Sequence, residues 1–139
     1  MAKSYYLDNV FLSAVLNGVA YTSPTQILVA LYTSSPGPGG GGVEVSNGSS
    51  GYARTAGTFS SPANGTISNN ASVTFPQAAA PWGTIVAFAL FDQLGNMLWY
   101  GNLTASKTIN TGDQLTFATG GLTVNGDLTR YESCYSRTY

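Results

Sequence analysis

The 139-residue chain has no histidine, one cysteine and few charges, with five Lys and Arg against six Asp and Glu. Without histidine there is no imidazole to act as a base, which excludes Ser-His-Asp catalysis and imidazole metal sites. The lone Cys134 forms no internal disulfide and supplies no multi-thiolate zinc site. A net charge of −1 offers no attraction to a phosphate backbone, so no nucleic-acid partner is expected. No apolar run reaches the roughly 18 residues of a membrane helix, so no membrane partner is expected either. The opening segment carries Lys3 and then Asp8, and its apolar run from Val10 to Leu16 ends at Asn17-Gly18 with no small-residue cleavage site. It is not read as a signal peptide. Asp92, Asp113 and Asp127 sit in or beside turns, where Asp commonly bonds nearby backbone N–H groups. No segment gathers the carboxylates of a calcium loop. Gly39–Gly42 lacks the strand and helix that flank a phosphate loop. The expectation is a protein with no catalytic residues, no metal and no cofactor.

Apolar sequence is plentiful. Hydrophobic residues make up 43% of the chain, enough for a folded core, while charged residues make up only 8% against a usual figure of about 25%. Few charges hold such molecules apart, so the composition suits a subunit of an assembly. Leu7, Val10, Phe11, Ala14 and Val15 recur at helical spacing, and Leu12 and Leu16 widen that face. Ser4 is placed to cap, Asp8 suits the first turn and Gly18 suits the stop, which predicts a helix over 4–17 packed on its own sheet or on a neighbour. Short strands are predicted over Gln26–Thr33, Tyr52–Phe59, Ala71–Phe75, Thr84–Asp92, Met97–Leu103, Gln114–Ala118 and Gly121–Val124, with an irregular Pro/Gly loop over 36–42. Turn signals recur every 8–12 residues or so, the rhythm of a β-sandwich. The predicted fold is mainly β, an antiparallel β-sandwich of jelly-roll or Ig-like type with one N-terminal helix. It occupies 1–124 as one domain, and 125–139 forms a C-terminal tail.

Two sets of residues are candidate contacts. Trp82, after Ala-Ala-Ala-Pro, is the exposed candidate for glycan or protein contact, whereas Trp99 and Tyr100 lie in a central strand where one of them is core. In the tail, Tyr131, Tyr135 and Tyr139 recur at i, i+4 and i+8 beside Arg130 and Arg137. Tyr and Arg are enriched at interfaces, so these five are the expected partner-binding residues. Four Asn-x-Ser/Thr matches, at Asn47, Asn64, Asn70 and Asn102, are expected by chance in so Asn-, Ser- and Thr-rich a chain.

Five blocks in order carry a family likeness: AKSYYLDNVFLSAVLNG, YTSPTQILVALYTSSP, GYARTAGTFSSPANG, NNASVTFPQAAAPWGTIVAFALFD and LWYGNLTASKTINTGDQLTFATGGLTV. Together they resemble a family of small tailed-bacteriophage virion proteins often labelled phage tail fibre proteins. The pattern contains no catalytic residues, and this chain departs from it after Val124. The resemblance implies a structural virion component. The chain has no long fibrous repeat for a shaft. Its size therefore leads to the expectation of a capsid cement, or decoration, protein on the capsid exterior. Its partners would be the major capsid protein and copies of itself in a symmetric cluster. The alternative is a tail-fibre or host-adhesin domain that binds bacterial surface polysaccharide. An enzyme acting on cell-wall glycans ranks last.

Overall fold

Three apolar stretches, ILVALYTS, GTIVAFALF and MLWYGNLTASKTI, form the centre of a six-stranded antiparallel sheet. The computed structural model describes residues 1–125. Along them run β1 (Ala2–Lys3), α1 (Tyr5–Leu16), β2 (Ile27–Ser34), β3 (Val43–Glu44), β4 (Thr55–Gly57), β5 (Thr66–Ser68), β6 (Val73–Thr74), β7 (Gly83–Phe91), β8 (Met97–Ile109), β9 (Thr116–Phe117) and β10 (Thr123–Asn125). The sheet order is β1-β8-β7-β2-β3, with β4 also paired to β2.

The register explains why β2 over 27–32 and β7 over 85–91 carry no polar alternation. Val29 stands opposite Leu90 and Leu31 opposite Phe88 on the face toward the main core. Between them Ala30 faces Ala89 and Tyr32 faces Ala87 on the other face, in a second cluster with Phe91 and Met97. Both faces of these strands are covered, so neither shows the polar alternation of a half-wet sheet. Trp99 and Tyr100 follow the same rule, each half-buried, Trp99 against the main core and Tyr100 against the second cluster. Farther along, Ile85 pairs with Lys107 but Ala87 pairs with Asn102, so 103–106 of β8 bulge out opposite Val86. Such a bulge bends the strand and raises its twist.

The main core is closed by short pieces. Phe75, Trp82, Leu115, Leu122 and Val124 pack onto Val29, Leu31 and Leu90. They come from two two-stranded ladders, β5 with β10 and β6 with β9, and from loops between them. The expected single β-sandwich, jelly-roll or Ig-like, is corrected here: the layer over the sheet is not one continuous second sheet. Pro76 and Pro81 supply no N–H for a ladder. Side chains take over part of that bonding. Asn69 Nδ2 donates to the carbonyls of Ala71 at 2.8 Å and Ala118 at 2.9 Å, and its Oδ1 accepts from Leu122 N at 2.9 Å.

The expected strands shrink accordingly. Tyr52–Phe59 reduces to Thr55–Gly57, Ala71–Phe75 to Val73–Thr74 and Gln114–Ala118 to Thr116–Phe117. The strand expected at Gly121–Val124 is Thr123–Asn125, so Asn125, assigned to the tail, pairs with Thr66. Trp82 is also corrected. It is 5% exposed, its ring edge meets Tyr52 at 5.4 Å, and its Nε1 donates to Ser50 O at 2.9 Å. The indole is a core group with no face open to a sugar.

Candidate interaction surface

The helix forms for the reasons its sequence provides. Ser4 is the N-cap, and its side chain accepts from Leu7 N at 3.1 Å. The same hydroxyl donates to Met97 O, and Ser4 N donates to Leu98 O at 2.9 Å, which fastens the helix start to β8. Asp8 lies in the first turn, 3.7 Å from Lys3 Nζ. At the far end Gly18 has φ +66, and both Asn17 N and Val19 N donate to Ser13 O, a glycine-stopped C-terminus.

Anchored this way, α1 buries only a narrow line of side chains. Leu7 is buried, and Val10 and Ala14 are half-buried. Phe11, Leu12, Val15 and Leu16 turn away from the sheet, with Phe11 51%, Val15 61% and Leu16 73% exposed. Val19, Tyr21 and Leu94 are also exposed and continue this surface. A cleft of about 460 Å³ runs between α1, the 19–24 segment and the turn at 92–94, lined by Val10, Val19, Tyr21 and Leu94 among others. Asp8 is the single charge on the helix. A helix this apolar around its circumference is normally covered.

A second feature lies where the start of α1 meets the glycine run and β3. Glu44 on β3 stands opposite Tyr32 on β2. It takes two hydrogen bonds from Arg54, from Nε at 2.9 Å and Nη2 at 2.8 Å, and a third from the Tyr52 hydroxyl at 2.7 Å. The Arg54 guanidinium lies 3.7 Å over the Phe91 ring. Burial alone would raise the Glu44 carboxyl, but the hydrogen bonds from Arg54 and Tyr52 outweigh it and hold the group below its ordinary value. Burial and then the neighbouring Glu44 push the Tyr52 hydroxyl well above the usual tyrosine range, although its bond to the Leu31 backbone works the other way. The pair borders a cleft of about 600 Å³, whose walls include Tyr5, Tyr6, Tyr32 and Gly39–Gly42.

Sequence reasoning did not single out this pair. Glu44 and Arg54 are ten positions apart in no known motif, but they are the only charged residues between Asp8 and Asp92. That isolation was the available signal. Of the residues expected to make contacts, Trp82 is in the core, while Arg130, Tyr131, Tyr135, Arg137 and Tyr139 lie outside the described residues. Among the described residues no three His, Cys, Asp or Glu side chains gather to hold a metal ion. The arrangement offers hydrogen-bonding and packing surfaces, without a nucleophile poised beside a base.

A family model described as Gp80, Podophage GP4 fiber I protein gp80, matches residues 2–125. No curated protein matches the chain.

Proposed function

The chain belongs to the podophage GP4 fiber I protein gp80 family, and from this membership we propose that it is a fibre subunit held in the virion through the apolar face of α1. It is a structural virion protein of a tailed phage. The observation that carries the docking role is the turn of Phe11, Leu12, Val15 and Leu16 away from their own sheet. Contiguous apolar surface of this kind marks a protein contact. The cover is a neighbouring virion subunit, and Arg130, Tyr131, Tyr135, Arg137 and Tyr139 are proposed as further partner contacts. Polysaccharide binding, the second half of the fibre reading, is taken up separately below.

A second reading is a cement on the major capsid protein lattice. It is favoured by the lack of any fibrous repeat in the chain and by the low charge. Immunogold labelling of intact virions with antibody to this chain separates the two. Label confined to fibres supports the fibre subunit. Label spread evenly over the capsid exterior would replace it with the cement reading.

A further inference from the structure

We propose that the cleft beneath the glycine run binds a neutral saccharide, one hexopyranose ring of a larger glycan, held by Glu44 and Arg54 and stacked on Tyr5 or Tyr6. The inference does not depend on where the chain sits in the virion. A volume of about 600 Å³ lies within the range of small-ligand sites. The lining then selects among ligands. Arg54 is matched by Glu44 in a two-bond pair, so neither a phosphate nor a cation meets an unbalanced charge. Calcium requires six or more oxygen ligands, and the one carboxylate on these walls is already engaged. A wholly apolar ligand would strip water from the ion pair and give nothing in return.

A sugar ring meets each requirement. The guanidinium has five N–H groups and spends two on Glu44, leaving donors for a ring hydroxyl. The Glu44 carboxylate keeps acceptor capacity for a neighbouring hydroxyl. Adjacent hydroxyls on a pyranose donate and accept side by side, as this pair does. The C–H face of the ring suits the exposed tyrosines, which combine an apolar body with a polar tip. The grip is also preorganised. Phe91 and Tyr52 hold the ion pair in place, so little side-chain freedom is lost on binding. Gly39 and Gly40 leave the cleft wall without side chains.

The test uses the full chain, isotope-labelled, titrated with methyl α-D-glucopyranoside, methyl β-D-galactopyranoside and methyl α-D-mannopyranoside and followed by amide NMR shifts. At least one glycoside is expected to give saturable shifts at Tyr5 and Gly39–Gly42. Gly39→Trp places a ring over the cleft, at a position where an added Cβ meets nothing within 4 Å. It should weaken binding roughly tenfold or more, about 1.4 kcal/mol, with thermal stability kept. Tyr5→Ala and Tyr6→Ala, changes at exposed sites, should together do the same. No saturable shift with any of the three glycosides overturns the proposal. So does undiminished binding by folded Gly39→Trp, and so does a response to inorganic phosphate or glucuronate alone.

Discussion

The Tyr52 hydroxyl accepts the backbone N–H of Leu31 at 3.0 Å, in the gap on β2 between its pairing with β4 at 27–29 and with β3 at Tyr32. A side chain thus stands where an edge strand would continue. The Tyr52 ring reaches into the core against Phe75 and Trp82, while its hydroxyl also donates to Glu44. One residue therefore joins the main core, the sheet edge and the Glu44–Arg54 pair.

Tyr52→Phe keeps the ring and removes both bonds. It leaves the Leu31 N–H buried without its acceptor, which costs about 1–3 kcal/mol. Urea denaturation should show a lower midpoint with an unchanged slope. Equal stability of the variant and the parent would mean that the hydroxyl is dispensable.

Asn69 should be among the least replaceable polar residues. It is 1% exposed, and its side chain satisfies Ala71 O, Ala118 O and Leu122 N. Asn69→Leu leaves the buried Leu122 N–H without its acceptor, at about 1–3 kcal/mol, and takes a donor from Ala71 O and Ala118 O, of which Ala118 O keeps its bond from Gly121 N. Loss of the cooperative thermal transition, or a melting point lowered by many degrees, is expected. A melting point within a degree of the parent would contradict the role given to this side chain.

Gly42 has φ +75, and an added Cβ would lie 2.4 Å from both Ser34 O and Ser35 O. Gly42→Ala must therefore shift the backbone where the glycine run enters β3, whereas Gly39→Ala meets open space. The first should lower the melting point and the second should not. Equal melting points for the two variants would remove the distinction.

How much of this was legible in sequence varies by element. The helix was readable because Ser4, Gly18 and the spacing of Leu7, Val10 and Ala14 agree with one another. β2 and β7 were readable because burial on both faces makes the run continuously apolar. β5, β6, β9 and β10 are two or three residues long, too short for alternation to mark their limits. The layer they help to form depends on bonds such as Gln114 Nε2 to Phe75 O, which join distant segments and leave no local pattern. Trp82 read as a surface ring because three alanines and a proline precede it, yet its partners Tyr52 and Ser50 are some thirty positions upstream. The Glu44–Arg54 pair was invisible as a motif and conspicuous only as charge in an uncharged stretch.

Acid should destabilise the fold through two carboxylates. Glu44 and Asp92 are both held below their ordinary values. In each case burial pushes upward but hydrogen bonds prevail, from Arg54 and Tyr52 at Glu44 and from Asn96, Leu94 and Gly95 at Asp92. A lowered folded value means the ionised form is favoured by folding. The stabilisation is therefore complete above the unfolded values of 4.5 and 3.8, and it fades as pH falls through the lower folded ones. Melting points should be flat from neutral pH to about 5 and fall below about 4. Glu44→Gln should remove part of that fall, and an acid limb identical to the parent's would show that Glu44 is not its source.

The central claim is that the outer face of α1 serves the assembly and not the fold of the single chain. Phe11→Ala should cost well under the roughly 3–5 kcal/mol of a fully buried ring, because half of its surface is exposed. The most direct measurement pairs Val15→Lys with Leu16→Lys in the last helical turn, where lysine suits both helix propensity and the helix dipole. The doubly substituted protein is melted in isolation, and its incorporation is quantified in purified virions from a phage carrying the same changes. A melting point close to the parent's together with loss of the protein from virions is the predicted result. Incorporation at the parent's level by the folded variant would contradict the account.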